Sequence, residues 1–112
     1  MDEDYFTIGV EAPRDDADGV KIAHVRLAGE FDLGARDELR ETLLTLIDGE
    51  RPDRVVVDLG GVMFIDSEAI GGILDGYVAA EQAGIAYRLT GATGVVRRVF
   101  DVIDLPRLFE PF

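Results

Sequence analysis

The sequence has no cysteine and a single histidine, His24. The missing thiols exclude disulfide frameworks and thiolate metal sites. With one imidazole, only carboxylates remain as metal ligands, and no Asp/Glu spacing matches a calcium loop. Asp66 and Glu68 would hold a hard cation only weakly. No metal and no cofactor is expected. No apolar run approaches the roughly 18 residues of a membrane span. The N-terminus, Met1-Asp2-Glu3-Asp4, is acidic, whereas a secretory leader starts basic. A cytoplasmic protein is expected. Basic residues are also few, with 11 Lys and Arg against 23 Asp and Glu, a formal net charge of −12. Such a field repels nucleic acid and anionic membranes. The longest basic run is Arg97-Arg98, so no direct nucleic-acid contact is expected.

What is present suits one α/β domain over residues 1–112, long enough to bury a core without staples. Residues 5 to 12 alternate as an edge strand. Pro13 to Gly19 reads as a polar turn. Val20 to Ala28 reads as a second strand, with Ala23, Val25 and Leu27 on one side and Ile22, His24 and Arg26 on the other. The pair suggests an antiparallel hairpin. Gly29 to Gly34 reads as a loop. A helix is expected from about Arg36 to Asp48, with Leu39, Leu43, Leu46 and Ile47 inward, Gly49 at its end and Pro52 barring resumption. Gly34 or Ala35 would be an indifferent N-cap, with Asp32 near enough to assist.

Arg54 to Leu59 reads as the central strand. Its Val55-Val56-Val57 run implies cover on both faces. At Asp66-Ser67 the period changes. Ile70, Ile73, Leu74, Tyr77 and Val78 fall on one helical face, and the helix should run from Ser67 to Ala83, stopped by Gly84. Ile85 to Thr90 reads as a fourth strand. Thr93 can cap a third helix through Ile103, with Val96, Val99, Phe100 and Ile103 inward. Leu105 to Phe112 reads as a tail turn, docked by Leu108 and Phe109. Helices alternating with strands after a hairpin give a mixed central β-sheet.

Catalytic chemistry is poorly supported. Ser67 would need a base, yet His24 lies in a strand, and no Gly-x-Ser-x-Gly elbow surrounds the serine. No catalytic residue is expected, and the chain is not read as an enzyme. Gly91-Ala92-Thr93-Gly94 superficially resembles an anion nest but lacks a P-loop's lysine and spacing, so turn and cap chemistry is the expectation. Gly71-Gly72 lies inside a helix, where each glycine is worse than alanine by roughly 1 kcal/mol. Two readings stay open there: approach of another backbone, or tight packing within this domain. Two also stay open for Ser67. It either merely begins the helix, with Asp66 as the N-cap, or is an exposed, phosphorylatable hydroxyl.

The run Val57-Asp58-Leu59-Gly60-Gly61-Val62-Met63-Phe64-Ile65-Asp66-Ser67 resembles the signature of STAS domains, and within them the bacterial anti-sigma factor antagonists. That signature reads D-L-S-x-V-x-F-I/M-D-S-S/T-G-L/I. Leu27 to Asp32 resembles the family's L-x-G-E-L/F-D. Val96 to Phe100 and Leu105 to Phe109 resemble its ending. Glu68 stands where the signature has Ser or Thr, Ala69 where it has Gly, and Gly60 where it has Ser.

The resemblance implies a single STAS-like domain with helices mainly on one side of the sheet. It implies an anti-sigma factor antagonist that works by partner switching and is phosphorylated at Ser67. Its partners would be an anti-sigma factor serine kinase and a serine phosphatase, with a weak homodimer left open. Asp32, Asp66, Glu68 and Gly71 would lie at the binding surface. The alternative is a STAS subunit of another assembly, such as a lipid-transport ATPase complex or a stress-sensing scaffold, without a phospho-switch.

Overall fold

The computed structural model describes residues 5–32, 34–102, 106–110 and 112. Its elements are β1 (Phe6–Asp15), β2 (Lys21–Phe31), α1 (Ala35–Glu50), β3 (Arg54–Ile65), α2 (Ser67–Gln82), β4 (Ala86–Thr90), α3 (Gly94–Val102) and a final 3₁₀ turn, Pro106–Phe109. The sheet order is β1-β2-β3-β4. The first pair is antiparallel and the other two are parallel, so the sheet is mixed, as expected.

The hairpin turn is shorter than the sequence suggests. Pro13 lies in β1, where the register shifts between Glu11 and Arg14. An edge strand tolerates proline at a bulge, because its missing N–H leaves no ladder bond unmade. The reversal is made by Asp16, whose carboxylate accepts the Asp18 and Val20 amides at 2.8 and 3.0 Å. Backbone donation from Val20, then from Asp18, holds its pKa below the usual aspartate value.

Helix α1 also outruns its expected end. Gly49 lies within it, and the left-handed residue that ends it is Arg51, φ 47°. Pro52 follows directly. Gly34 is the N-cap, at φ 97° with no side-chain cap bond. Asp32 assists through its backbone, its carbonyl accepting the Ala35 amide at 3.1 Å.

Strands β2 and β3 continue past Ala28 and Leu59, so Gly29–Phe31 is strand and not loop. Their pairing absorbs two register shifts before Phe31 meets Ile65. Such bulges break the period-2 pattern, which is why the extension was illegible locally. Gly91, φ 80°, closes the turn after β4, where an added Cβ would lie 2.8 Å from the Gly60 nitrogen. That close approach accounts for the glycine without an anion. The Arg97 amide donates to the Thr93 carbonyl at 3.4 Å as α3 begins.

One apolar cluster holds the domain. It joins Ala23, Val25 and Leu27 of β2, Val55, Val57 and Leu59 of β3, and Tyr87 and Leu89 of β4 to residues of all three helices. Helix α1 supplies Leu39, Leu43, Leu46 and Ile47, α2 supplies Ile70 and Ile73, and α3 supplies Val96 and Phe100. Sharing one core, the helices cover one side of the sheet. The opposite face is polar. Arg26 pairs with Glu11 and approaches Asp58 at 4.0 Å. Val56 is only half-buried there, so the expected cover on both faces of β3 is corrected. The Phe112 ring lies 4.8 and 5.4 Å from the Arg54 and Arg88 guanidinium carbons on that side. Leu108 docks fully and Phe109 packs edge-on to Phe100 at 5.5 Å. The expectations on Ile103 and Leu105 lie outside the described residues.

On α2, Leu74 and Tyr77 are half-buried and Val78 is exposed. The buried stripe includes Ala69, Gly72, Gly76 and Ala80 as well as Ile70 and Ile73. At Gly72 an added Cβ would lie 3.1 Å from the Arg36 carbonyl oxygen. The backbone that approaches is therefore α1 of the same chain.

Candidate partner-binding site

Asp66 joins sheet to helix. Its amide donates to the Phe31 carbonyl at 3.0 Å, which ties the end of β2 to the start of α2. Its own backbone is extended, and its Oδ1 accepts the Ala69 amide at 2.8 Å. This satisfies one of the helix's orphan donors. Asp66 is thus the N-cap. Ser67 is the first helical residue and is exposed. The end of β2 brings half-buried Asp32 to the same rim, one residue beyond Phe31.

Glu68 turns toward α1. Its Oε2 accepts from Arg36 Nη1 at 2.8 Å. Arg36 Nη2 reaches Asp75 at 3.4 Å, and Arg40 Nε reaches the same carboxylate at 3.3 Å. The hydrogen bond that Arg36 donates to Glu68, then the one it donates to Asp75, raises the Arg36 pKa above its ordinary value. Glu68 is therefore a paired charge. Ala69 is fully buried, which explains a small residue there. Gly71 is half-buried, and a Cβ on it would stand 3.4 Å from the Arg36 guanidinium carbon. All four residues expected at a binding surface lie at this junction: Asp32, Asp66, Glu68 and Gly71. The last two also serve the α1–α2 contact.

Three nearby residues escaped sequence reasoning. Met63 is 78% exposed and Phe64 45%, immediately before the junction. Nothing local marks these apolar residues as exposed, because the β2–β3 register shifts arise from pairing with a distant strand. Nothing in the local sequence sets Arg36 apart from the other charges on α1. His24 pairs with Val56 in the sheet. Nine residue steps along β3 lead from Val56 to Ile65, a span of roughly 25–30 Å, so the one imidazole is out of reach of Ser67. Among the described residues, no three His, Asp or Glu side chains gather closely enough to hold a metal ion. No described helix is long and apolar enough to cross a membrane.

A mixed four-stranded sheet with its helices sharing one core, and an exposed serine just after the Asp66 cap where β3 feeds α2, define this α/β domain. The family model described as "Mlab, STAS domain" matches residues 16–110, and the chain belongs to the STAS family. It is 29% identical over 96 residues to a STAS-domain containing protein of Pseudomonas aeruginosa strain UCBPP-PA14, covering 84% of this chain and 90% of that one. Its fold is similar to the anti-sigma factor antagonist SpoIIAA in its unphosphorylated form, with a TM-score of 0.78 and 21% identity over 93% of this chain and 86% of that one. The phosphorylated form of the Bacillus cell fate determinant SpoIIAA matches with a TM-score of 0.73 and 20% identity, over 93% and 89% of the two chains.

Proposed function

We propose that this protein is an anti-sigma factor antagonist that binds a kinase anti-sigma factor and is released when Ser67 is phosphorylated. A serine phosphatase would reset it, in the cytoplasm. The carrying observation is the division of labour at the junction. Asp66 makes the cap bond, so the exposed Ser67 hydroxyl is spared that task. A phosphate there gains about 0.3–1 kcal/mol from the helix dipole. Repulsion from one carboxylate about 6 Å away is roughly 1 kcal/mol in a water-like dielectric. Both terms are small against the roughly 5–15 kcal/mol stability of a folded domain, so phosphorylation should leave the fold intact and change the surface that a partner meets. Met63 and Phe64 give that surface an apolar component.

The test is incubation with the cognate kinase and ATP. One phosphate should be added, and Ser67→Ala should abolish it. Ser67→Asp should weaken kinase binding while the thermal transition hardly moves. Equal binding by Ser67→Asp would end the switch reading.

A second reading keeps the fold and drops the switch: a STAS subunit of a larger assembly, such as a lipid-transport ATPase complex. Glu68 and Ala69 favour it, since they replace the hydroxyl and glycine of the antagonist signature. Co-purification with an ABC ATPase in place of a small kinase would select it.

A further inference from the structure

The guanidinium of Arg36 occupies a seat built by four residues of α2. Glu68 Oε2 holds Nη1 at 2.8 Å, and Asp75 Oδ2 holds Nη2 at 3.4 Å. Between them Gly71 and Gly72 leave room. A Cβ on Gly71 would meet the guanidinium carbon at 3.4 Å, and one on Gly72 would press on the Arg36 backbone. Ser67 stands one helical turn before Gly71 and next to Glu68. Residues four apart on a helix are about 6 Å apart at their Cβ atoms. By that spacing the exposed serine lies about one helical turn from the Gly71 position that faces the anchored arginine.

We propose that Arg36 is the counter-charge of Ser67 in its phosphorylated form. This rests on the reading of Ser67 as a phosphoacceptor. Phosphoserine brings a charge near −2 beside Glu68. Arg36 offsets that carboxylate, and its Nη1 is the donor for which phosphate competes with Glu68. Arginine suits the exchange, because its planar fork can hold Asp75 with one nitrogen while the other changes partner. Arg36 is a positioning residue for the switch. It lets this chain carry Glu68 where the antagonist signature carries a neutral hydroxyl.

The test uses the full chain with phosphoserine installed at position 67 during translation, so no kinase is needed. The second ionisation of the phosphate, ordinarily near pH 6, is followed by phosphorus NMR at low ionic strength. One unit charge about 6 Å away in a water-like dielectric moves such a midpoint by roughly half a pH unit. Arg36→Gln should raise the midpoint by about that much, and Arg36→Lys should restore most of the difference. Glu68→Gln should lower it. Circular dichroism shows whether each variant is folded, and Glu68→Gln keeps the test open if Arg36→Gln is not. A midpoint unmoved by Arg36→Gln in a folded protein, or unmoved by Glu68→Gln, overturns the proposal. Failure of any kinase to modify Ser67 would instead sink the switch reading and leave this coupling standing.

Discussion

Asp66 and Ala69 close the first turn of α2 through one 2.8 Å bond from the Ala69 amide to Asp66 Oδ1. That bond holds the turn on which Ser67 is displayed. Replacing Asp66 by Ala should cost about 1 kcal/mol, the usual loss for an N-cap. Asp66→Asn should retain most of it, since its Oδ1 can accept the same bond. Hydrogen exchange at Ala69 and Ile70 provides the check. Unchanged protection in the alanine variant would show that the cap does not order the site.

Burial gives Tyr87 a second kind of signature. Its hydroxyl donates to the Ile73 carbonyl at 2.8 Å, and desolvation pushes the phenol well above its ordinary pKa. A raised folded-state pKa means that the stabilisation is complete below the unfolded value near 10. It is lost as pH rises beyond that, by about 1.4 kcal/mol per pH unit. Native-state absorbance should therefore contain no Tyr87 phenolate before unfolding. Tyr87→Phe should leave the native phenolate amplitude unchanged while lowering stability by about 1 kcal/mol.

The glycines of α2 should respond oppositely to alanine. At Gly76 a Cβ would lie 2.8 Å from Leu43 Cδ1 and 3.0 Å from the Tyr87 hydroxyl. Overpacking of this kind costs about 1–3 kcal/mol, which exceeds the roughly 1 kcal/mol of helix propensity regained. At Gly71 the nearest atom is the Arg36 guanidinium carbon at 3.4 Å, an ordinary contact. Gly71→Ala should be neutral or stabilising by up to about 1 kcal/mol. Thermal denaturation of the two variants decides, and a gain at Gly76 would contradict the packing described.

Acid should act on the hairpin through Asp16. Its pKa is lowered by the Val20 and Asp18 amides, so its contribution is present above the unfolded value near 4 and lost as pH falls below it. A carbon-detected NMR titration should place the Asp16 midpoint below the ordinary aspartate value. Asp16→Ala should loosen the turn without touching α2. A midpoint at the ordinary value would mean that the turn bonds are not formed in solution.

Much of the fold can be read locally. The alternation of Ala23, Val25 and Leu27 against Ile22, His24 and Arg26 needs only the two-residue strand period. The inward faces of α1 and α3 need only the helical one. Asp66 ahead of an apolar helical run announces the cap, and the Asp66-Ser67 run carries the family resemblance. These features are local because the interactions that specify them span a few residues.

Tertiary structure decided the rest, because it turns on what comes close from elsewhere in the chain. Pro13 stays in a strand because β1 is an edge. Met63 and Phe64 are displayed because the β2–β3 register slips. Gly72 and Gly76 are small because α1 and Leu43 lie against them. Composition and local pattern show Glu68 as a bare charge beside a serine. Only the packing of α1 on α2 shows it held by Arg36, 32 positions earlier in the sequence.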